Sequence, residues 1–303
     1  MQSYPQDKIE IIVVDDDSTD DTLKIAMEFG CITLRNGEHN IERGKSIGVE
    51  ASNGEYILLI DDDNRIPNNT WLIDLLKSVI KENCIGGQAS KFYYDRNDTL
   101  INRYASLFGL GDPTVFYLNK KDKLMFIEKT WNLPGKVIKE TDRYYVVQFD
   151  KSNLLTIGSQ GFLIKKEFLI KTTHKPYLYH MDLNMELVSE GLNTYVMLKD
   201  TIIHKYSDTI SQFYKKLKRN ISLFYSEKQY RKYTYRLKKS TMLRLGLTMC
   251  TFIIPLFDSI KGYIKLHDSA WFIHPFICFR VGLIYSIFTI KQSLFNKYTN
   301  EKK

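Results

Sequence analysis

Apolar residues in the first third of the chain fall into short runs, each closed by a polar cluster. Residues 9–14 are mostly β-branched, as expected of a strand buried on both faces, and stop at Asp15-Asp16-Asp17-Ser18-Thr19-Asp20. Ser18 or Thr19 is placed to cap a following helix, with Leu23, Ala26 and Met27 on its inner face and Gly30 at its end. Further runs predict strands over 31–34, 56–60 and 85–92, with helices over 46–52 and 71–81, the last entered by the turn Pro67-Asn68-Asn69. This alternation predicts an α/β fold with a mainly parallel sheet and flanking helices.

From about 93 to 150 the periodicity weakens, broken by Gly109, Gly111, Pro113, Pro134 and Gly135, and reads as a loop-rich insertion over a site. Regular structure resumes with a strand over 154–157, helices over 165–170 and 182–189, and a strand over 194–198. Beyond His204 the chain turns basic and tyrosine-rich, then strongly apolar. The expected organisation is a catalytic domain over 1–205, carrying the insertion, and a helical membrane-associating tail over 206–303.

Composition adds less. The 303 residues are 44% hydrophobic and 26% charged, which suits a folded domain of enzyme size. Cysteines at 31, 84, 250 and 278 are too scattered for a CxxC pair and too few to staple the chain, so a reducing, cytosolic setting is expected. The opening MQSYPQDK is not followed by a secretory apolar stretch. The net charge of +8 is concentrated: residues 205–244 hold twelve Lys or Arg against two acids, Asp208 and Glu227.

The candidate chemistry lies in two acidic runs, VVDDDSTDD and LLIDDDN, each at the C-terminal end of a predicted buried strand, where open α/β sheets form their ligand crevice. Three adjacent carboxylates repel one another unless a cation or hydrogen bonds compensate. Alternation puts Asp61 and Asp63 on one side of an extended segment, where they can share Mg²⁺ or Mn²⁺ with diphosphate oxygens. A solvated acidic turn with helix caps is the plainer alternative for either run.

The stretch IEIIVVDDDSTDDT, then Arg43-Gly44-Lys45, then GVEASNGEYILLIDDDN resembles the family 2 glycosyltransferases in residues and spacing. The resemblance implies a nucleotide-diphospho-sugar transferase fold, with Asp16 at the base of a uridine-type nucleotide, Asp15 beside it in the nucleotide-sugar site, and Asp61 and Asp63 at the diphosphate and a divalent metal. Lys45 and Arg43 are placed to counter the diphosphate, or else are basic residues that open a helix. Asp17 stands where the family usually has Gly, and Ser46 where Asn is common. LLTIGSQGFLIKKEFL is similar to the family's acceptor-side strand and helix, and YHMDLNMEL to the helix start bearing its catalytic base, which makes Asp182 the base. His204 is placed to present a group to the diphosphate or the metal, or else to serve a structural role at a domain junction. Family members carry a further strand and helix ahead of the strand that begins here at Lys8, and MQSYPQDK resembles the end of that helix. A sugar-nucleotide binder that no longer catalyses is therefore a second reading. A receiver-type phosphoacceptor domain is a third, since Asp16 and Asp61 meet its spacing, but Pro113 falls where its lysine is due.

The basic blocks, Lys215, Lys216, Lys218 and Arg219, then Lys228, Arg231, Lys232, Arg236, Lys238 and Lys239, are interleaved with tyrosines that include Tyr235. Nucleic acid is not the expected partner, because apolar runs over 242–257 and 270–290 follow, and basic-aromatic segments beside apolar helices suit an anionic membrane surface. Arg280 within the second run favours in-plane or shallow hairpin helices over true spans. The expected setting is the cytoplasmic face of a membrane, with a glycan or lipid-linked acceptor.

Overall fold

The computed structural model describes residues 2–233 and 238–300, so Tyr235 and Arg236 of the second basic block lie outside the described residues. The chain divides into two compact units, one of residues 1–91, 134–203 and 230–233, the other of residues 92–133, 204–229 and 234–303. The expected boundary after 205 is thus not the one the contacts draw. Of the loop-rich insertion expected over about 93–150, residues up to 133 belong with the helical tail, and 134–150 stay in the first unit.

The first unit begins with a 3-10 turn, Gln6–Lys8, and strand β1 (Ile12–Asp15). Helix α1 (Thr22–Glu28) leads to β2 (Ile32–Arg35), which pairs parallel with β1. Neither Ser18 nor Thr19 caps α1: its N-cap is Asp21, with no side-chain cap bond, and Met27, expected inside, is 60% exposed. Helix α2 (Ile41–Ala51) starts five residues before the expected 46, because the Asn40 side chain accepts hydrogen bonds from the N–H groups of Glu42 and Arg43. Strand β3 (Tyr56–Leu59), the short β4 (Asn64–Arg65), helix α3 (Trp71–Lys81) and strand β5 (Gly86–Phe92) follow as the periodicity predicts, β4 excepted.

Helices α4 (Leu100–Phe108) and α5 (Pro113–Tyr117) come next along the chain but belong to the second unit, and strands β6 (Lys136–Glu140) and β7 (Tyr144–Gln148) return to the first. The remaining elements of this unit are β8 (Phe162–Lys165), α6 (Lys166–Ile170), α7 (His180–Ser189) and β9 (Thr194–His204). Seven strands form a sheet ordered β3-β8-β5-β9-β7-β6, with β4 paired to β9, while β1 and β2 form a two-stranded sheet of their own.

The mainly parallel sheet is corrected to a mixed one. β8 runs antiparallel to both β3 and β5, and β7 runs antiparallel to both β6 and β9. Two features of the sequence concealed this. β6 is a largely exposed edge strand carrying Lys136, Lys139 and Glu140, so it shows none of the apolar alternation that marks a strand. Leu154, Leu155 and Ile157 are fully buried, yet they lie outside any strand, and the true strand begins at Phe162. Apolar content alone does not separate a buried loop from a strand. The antiparallel pairings also exclude the receiver-type reading, whose sheet is parallel.

The second unit adds α8 (Ile210–Ser226), α9 (Lys239–Cys250), α10 (Ile253–Lys265) and, after a 3-10 turn at Ser269–Ile273, α11 (His274–Asn300). It has its own core, in which Tyr104 and Phe108 of α4, Phe213 and Leu217 of α8, and Trp271 and Cys278 are buried together. α11 buries Ile277, Cys278, Val281 and Ile284, one stripe at helical spacing, and leaves Phe276, Leu283 and Ile287 exposed. By length and composition one described segment, Ser269–Thr289, could cross a membrane, and the pair Ser240–Cys250 and Ile253–Lys265 is bent by 60°.

Candidate active site

Both acidic runs leave the ends of strands in the first unit, and each is tied to the stretch between β2 and the middle of α2. Asp15 is buried, and its Oδ2 accepts from the N–H of Ser18 at 3.1 Å, closing the turn. Asp16 and Asp17 face His39, whose ring nitrogens stand 3.8 Å from Asp16 Oδ1 and 3.9 Å from Asp17 Oδ2. His39 was not among the residues the sequence singled out, and a lone histidine in a loop carries no signal that would have found it. Asp17 has φ +62°, a left-handed conformation in which Gly is favoured and Asp is among the better-tolerated alternatives. The departure from Gly is therefore accommodated in the backbone the turn requires.

Six residues after His39, Lys45 projects from α2 and its Nζ stands 3.1 Å from Asp61 Oδ1, just beyond β3, and 3.9 Å from Glu42. Burial would lower the Lys45 pKa, but Glu42 and Asp61 more than offset it and hold the ammonium above the usual lysine value. Arg43, the other basic residue of this stretch, is engaged elsewhere, with Glu38 at 3.2 Å and the Pro176 carbonyl at 3.3 Å. Asp63 Oδ1 accepts from the Asn64 side chain at 2.7 Å.

A divalent ion finds suitable chemistry here but no complete cage. Asp61 and Asp63 offer the hard oxygen donors that Mg²⁺ and Mn²⁺ prefer. Among the described residues, however, no group of three or more His, Cys, Asp or Glu side chains is placed to hold a metal ion. The two carboxylates fit an ion that takes its other ligands from a bound diphosphate and water, as Mg²⁺ commonly does.

Asp182 lies in the first turn of α7, 2% exposed. Burial raises its pKa, against the N–H groups of Lys232 and Tyr233 and the nearby Arg231 charge, which favour the carboxylate. The helix that carries it is fixed by Asn184, whose side-chain amide donates to the carbonyls of Ile157 (2.9 Å) and His180 (2.7 Å) and whose oxygen accepts from Tyr195 at 2.8 Å. Gly158, at φ +120°, lets the preceding loop approach: a Cβ there would stand 2.8 Å from the Cβ of His180. His204 ends β9, buried in the second unit between the rings of Phe92 and Tyr206, with centroids 4.9 and 5.2 Å away.

The comparisons with known proteins agree with these motifs. Residues 1–139 match the family model described as "Glycosyl transferase family 2". Over 113 residues the chain is 28% identical to glycosyltransferase AglE of Haloferax volcanii, covering 35% of this chain and 36% of that protein. The match therefore spans only about a third of that relative's length. Crystal structures of S. aureus TarS 1–349, alone and in complex with UDP, align over 94% of this chain and 84% of theirs at 13% identity, with TM-scores of 0.42 and 0.40. Likenesses that distant carry neither fold nor ligand across. Through residues 1–139, and over that segment alone, the chain is similar to glycosyl transferase family 2.

Proposed function

We propose that this chain transfers a sugar from a nucleotide-diphospho-sugar, with UDP the favoured nucleotide, to a hydroxyl of a membrane-proximal glycan or lipid-linked acceptor, inverting the anomeric carbon. The observation that carries this reading is the pairing of Lys45 with Asp61. It places a cation beside the second acidic run, both within the segment that matches the family. UDP is favoured because the family resemblance puts Asp16 at the base of a uridine-type nucleotide.

The chemistry follows from the side chains. As the acceptor oxygen bonds to the anomeric carbon, Asp182 takes its proton, and the bond from that carbon to the diphosphate breaks with its electron pair going to the phosphate oxygen. A raised pKa suits a carboxylate that must accept a proton, since it makes the group a stronger base. Lys45 meets the negative charge that grows on the departing diphosphate. Mg²⁺ or Mn²⁺ held with Asp61 and Asp63 would neutralise more of that charge when bound.

The helical unit supports a membrane setting. Leu243, Ile253, Phe257, Ile264 and Phe276 on α9, α10 and α11 are each more than 60% exposed. Large exposed apolar side chains mark interaction surfaces. With twelve Lys or Arg against two acids over 205–244, the chemistry suits the anionic cytoplasmic leaflet.

The test is UDP release from UDP-glucose, UDP-galactose and their N-acetylamino counterparts, with Mg²⁺ or Mn²⁺ and with chelator. Release that needs the metal and is lost in Asp61→Ala and Asp63→Ala supports transfer. UDP binding without turnover of any sugar would favour the non-catalytic binder, and failure to bind UDP at all would overturn the donor assignment.

A further inference from the structure

Between α8 and α9 the chain gives four residues, Tyr230–Tyr233, to the first unit. The N–H of Lys232 donates to Asp182 Oδ2 at 2.8 Å, and the N–H of Tyr233 to Oδ1 at 3.1 Å. Both oxygens of the carboxylate are thus held by consecutive amides of one segment, so the group cannot rotate without breaking a hydrogen bond.

The segment is fastened beside the same carboxylate. The Lys232 ammonium stands 2.9 Å from Glu186 Oε1 and 2.5 Å from Thr173 Oγ1, and Glu186 is itself fixed by the N–H of Thr173 at 2.7 Å. Asp182 and Glu186 are four residues apart on α7, one above the other on a single helix face. One residue therefore serves both: its amide restrains Asp182 and its side chain is anchored on Glu186. The Arg231 guanidinium, 4.0 Å from the centroid of the Tyr179 ring, and Tyr230, 5.1 Å from Tyr177, hold the segment just ahead of that anchor.

We infer that Lys232 is a positioning residue for the proton-accepting carboxylate of Asp182, acting through its clamp on Glu186, an inference that rests on the reading of Asp182 as the base. A carboxylate oxygen has a second lone pair, so each can accept an N–H and still receive a proton. The amides set where those lone pairs point. Orientation matters because misplacing a reacting group by about 1 Å costs on the order of 100-fold in rate. An ordinary exposed ion pair adds little to stability and would leave the chemistry alone.

Two measurements on the full chain decide between these. The first is amide hydrogen exchange over residues 230–233. Protection of the Lys232 and Tyr233 amides should fall at least about tenfold in Asp182→Ala and in Lys232→Ala, and return in Lys232→Arg. The second is UDP release from the four UDP-sugars: Lys232→Ala should lower kcat about tenfold or more with donor KM unchanged, and Lys232→Arg should restore it. Substitution at Lys232, whose side chain is 53% exposed, does not threaten the fold, and a melting curve checks this. Unchanged exchange in Lys232→Ala overturns the clamp, a result that needs no turnover of any donor. Full kcat in Lys232→Ala where Asp182→Ala is inactive overturns the positioning role, whereas full activity in Asp182→Ala means the base assignment itself has failed.

Discussion

Lys45 Nζ and Asp61 Oδ1 stand 3.1 Å apart, joining α2 to the end of β3 at the second acidic run. The lysine side chain is 12% exposed and the aspartate 27%, so the pair is only partly screened by water. Replacing Lys45 with Met leaves Asp61 uncompensated and should cost about 1–2 kcal/mol of stability, read by chemical unfolding. If Lys45 meets the diphosphate, UDP affinity should fall about tenfold or more, equivalent to about 1.4 kcal/mol, in a calorimetric titration. UDP affinity unchanged in Lys45→Met would remove Lys45 from the site.

Asp182 should set the acid limb of the rate profile. Burial raises its folded pKa, and only the deprotonated form can accept a proton, so activity should fall as pH drops through that raised pKa. The limb should therefore lie above the value of about 3.9 typical of a solvated aspartate. Asp182→Asn should abolish transfer while leaving UDP affinity intact. A rate flat down to about pH 4 would count against Asp182 as the base.

Asp17, at φ +62°, should tolerate Gly and reject β-branched residues. Asp17→Gly relieves the left-handed strain and should hold stability level or raise it by up to about 1 kcal/mol, whereas Asp17→Val should lose about 1–2 kcal/mol. Thermal melting of the two variants side by side tests this. Equal melting points would mean that the turn does not constrain this residue.

Gly158→Ala should disturb the helix that carries Asp182. The added methyl would stand 2.8 Å from His180 Cβ and 3.1 Å from Asn184 Nδ2, in a backbone conformation that L residues rarely adopt. The expected cost is about 2–3 kcal/mol, with kcat reduced more than donor KM because the damage falls beside Asp182. Full stability and activity would show that the loop is free to move away from α7.

The exposed apolar side chains of the second unit give a membrane prediction. Phe257→Asp with Ile264→Asp should weaken flotation with phosphatidylserine-containing vesicles by about tenfold or more, since each charge placed at an apolar contact is strongly disfavoured. Added salt should weaken binding further by screening the basic blocks. UDP affinity should be unchanged in the same variant. Binding that ignores both substitutions and salt would send the membrane partner back to other surfaces.

Several elements were readable because local pattern and final structure coincide. The helix over 71–81 falls where its apolar period places it, and β3 and β5 lie within one residue of their expected ends. The acidic runs at strand ends, and the family they resemble, were equally plain. What eluded the sequence were features whose defining partner lies far along the chain. β6 is a strand because it pairs with β7, not because its exposed residues alternate. The partners of Asp182 lie 50 and 51 residues away.

The order of residues alone marked the two acidic runs as candidates for chemistry and put each at the end of a strand, because strand and helix periods and turn residues act over a few positions, although β1, expected to be buried on both faces, is only partly buried. Tertiary structure decided the rest. It placed residues 92–133 with the tail, set β8 antiparallel between β3 and β5, and brought the amides of 232 and 233 onto Asp182. The reason is physical: a backbone hydrogen bond takes any residue that can reach it, so nothing in the side chains of residues 232 and 233 announced the contact they make.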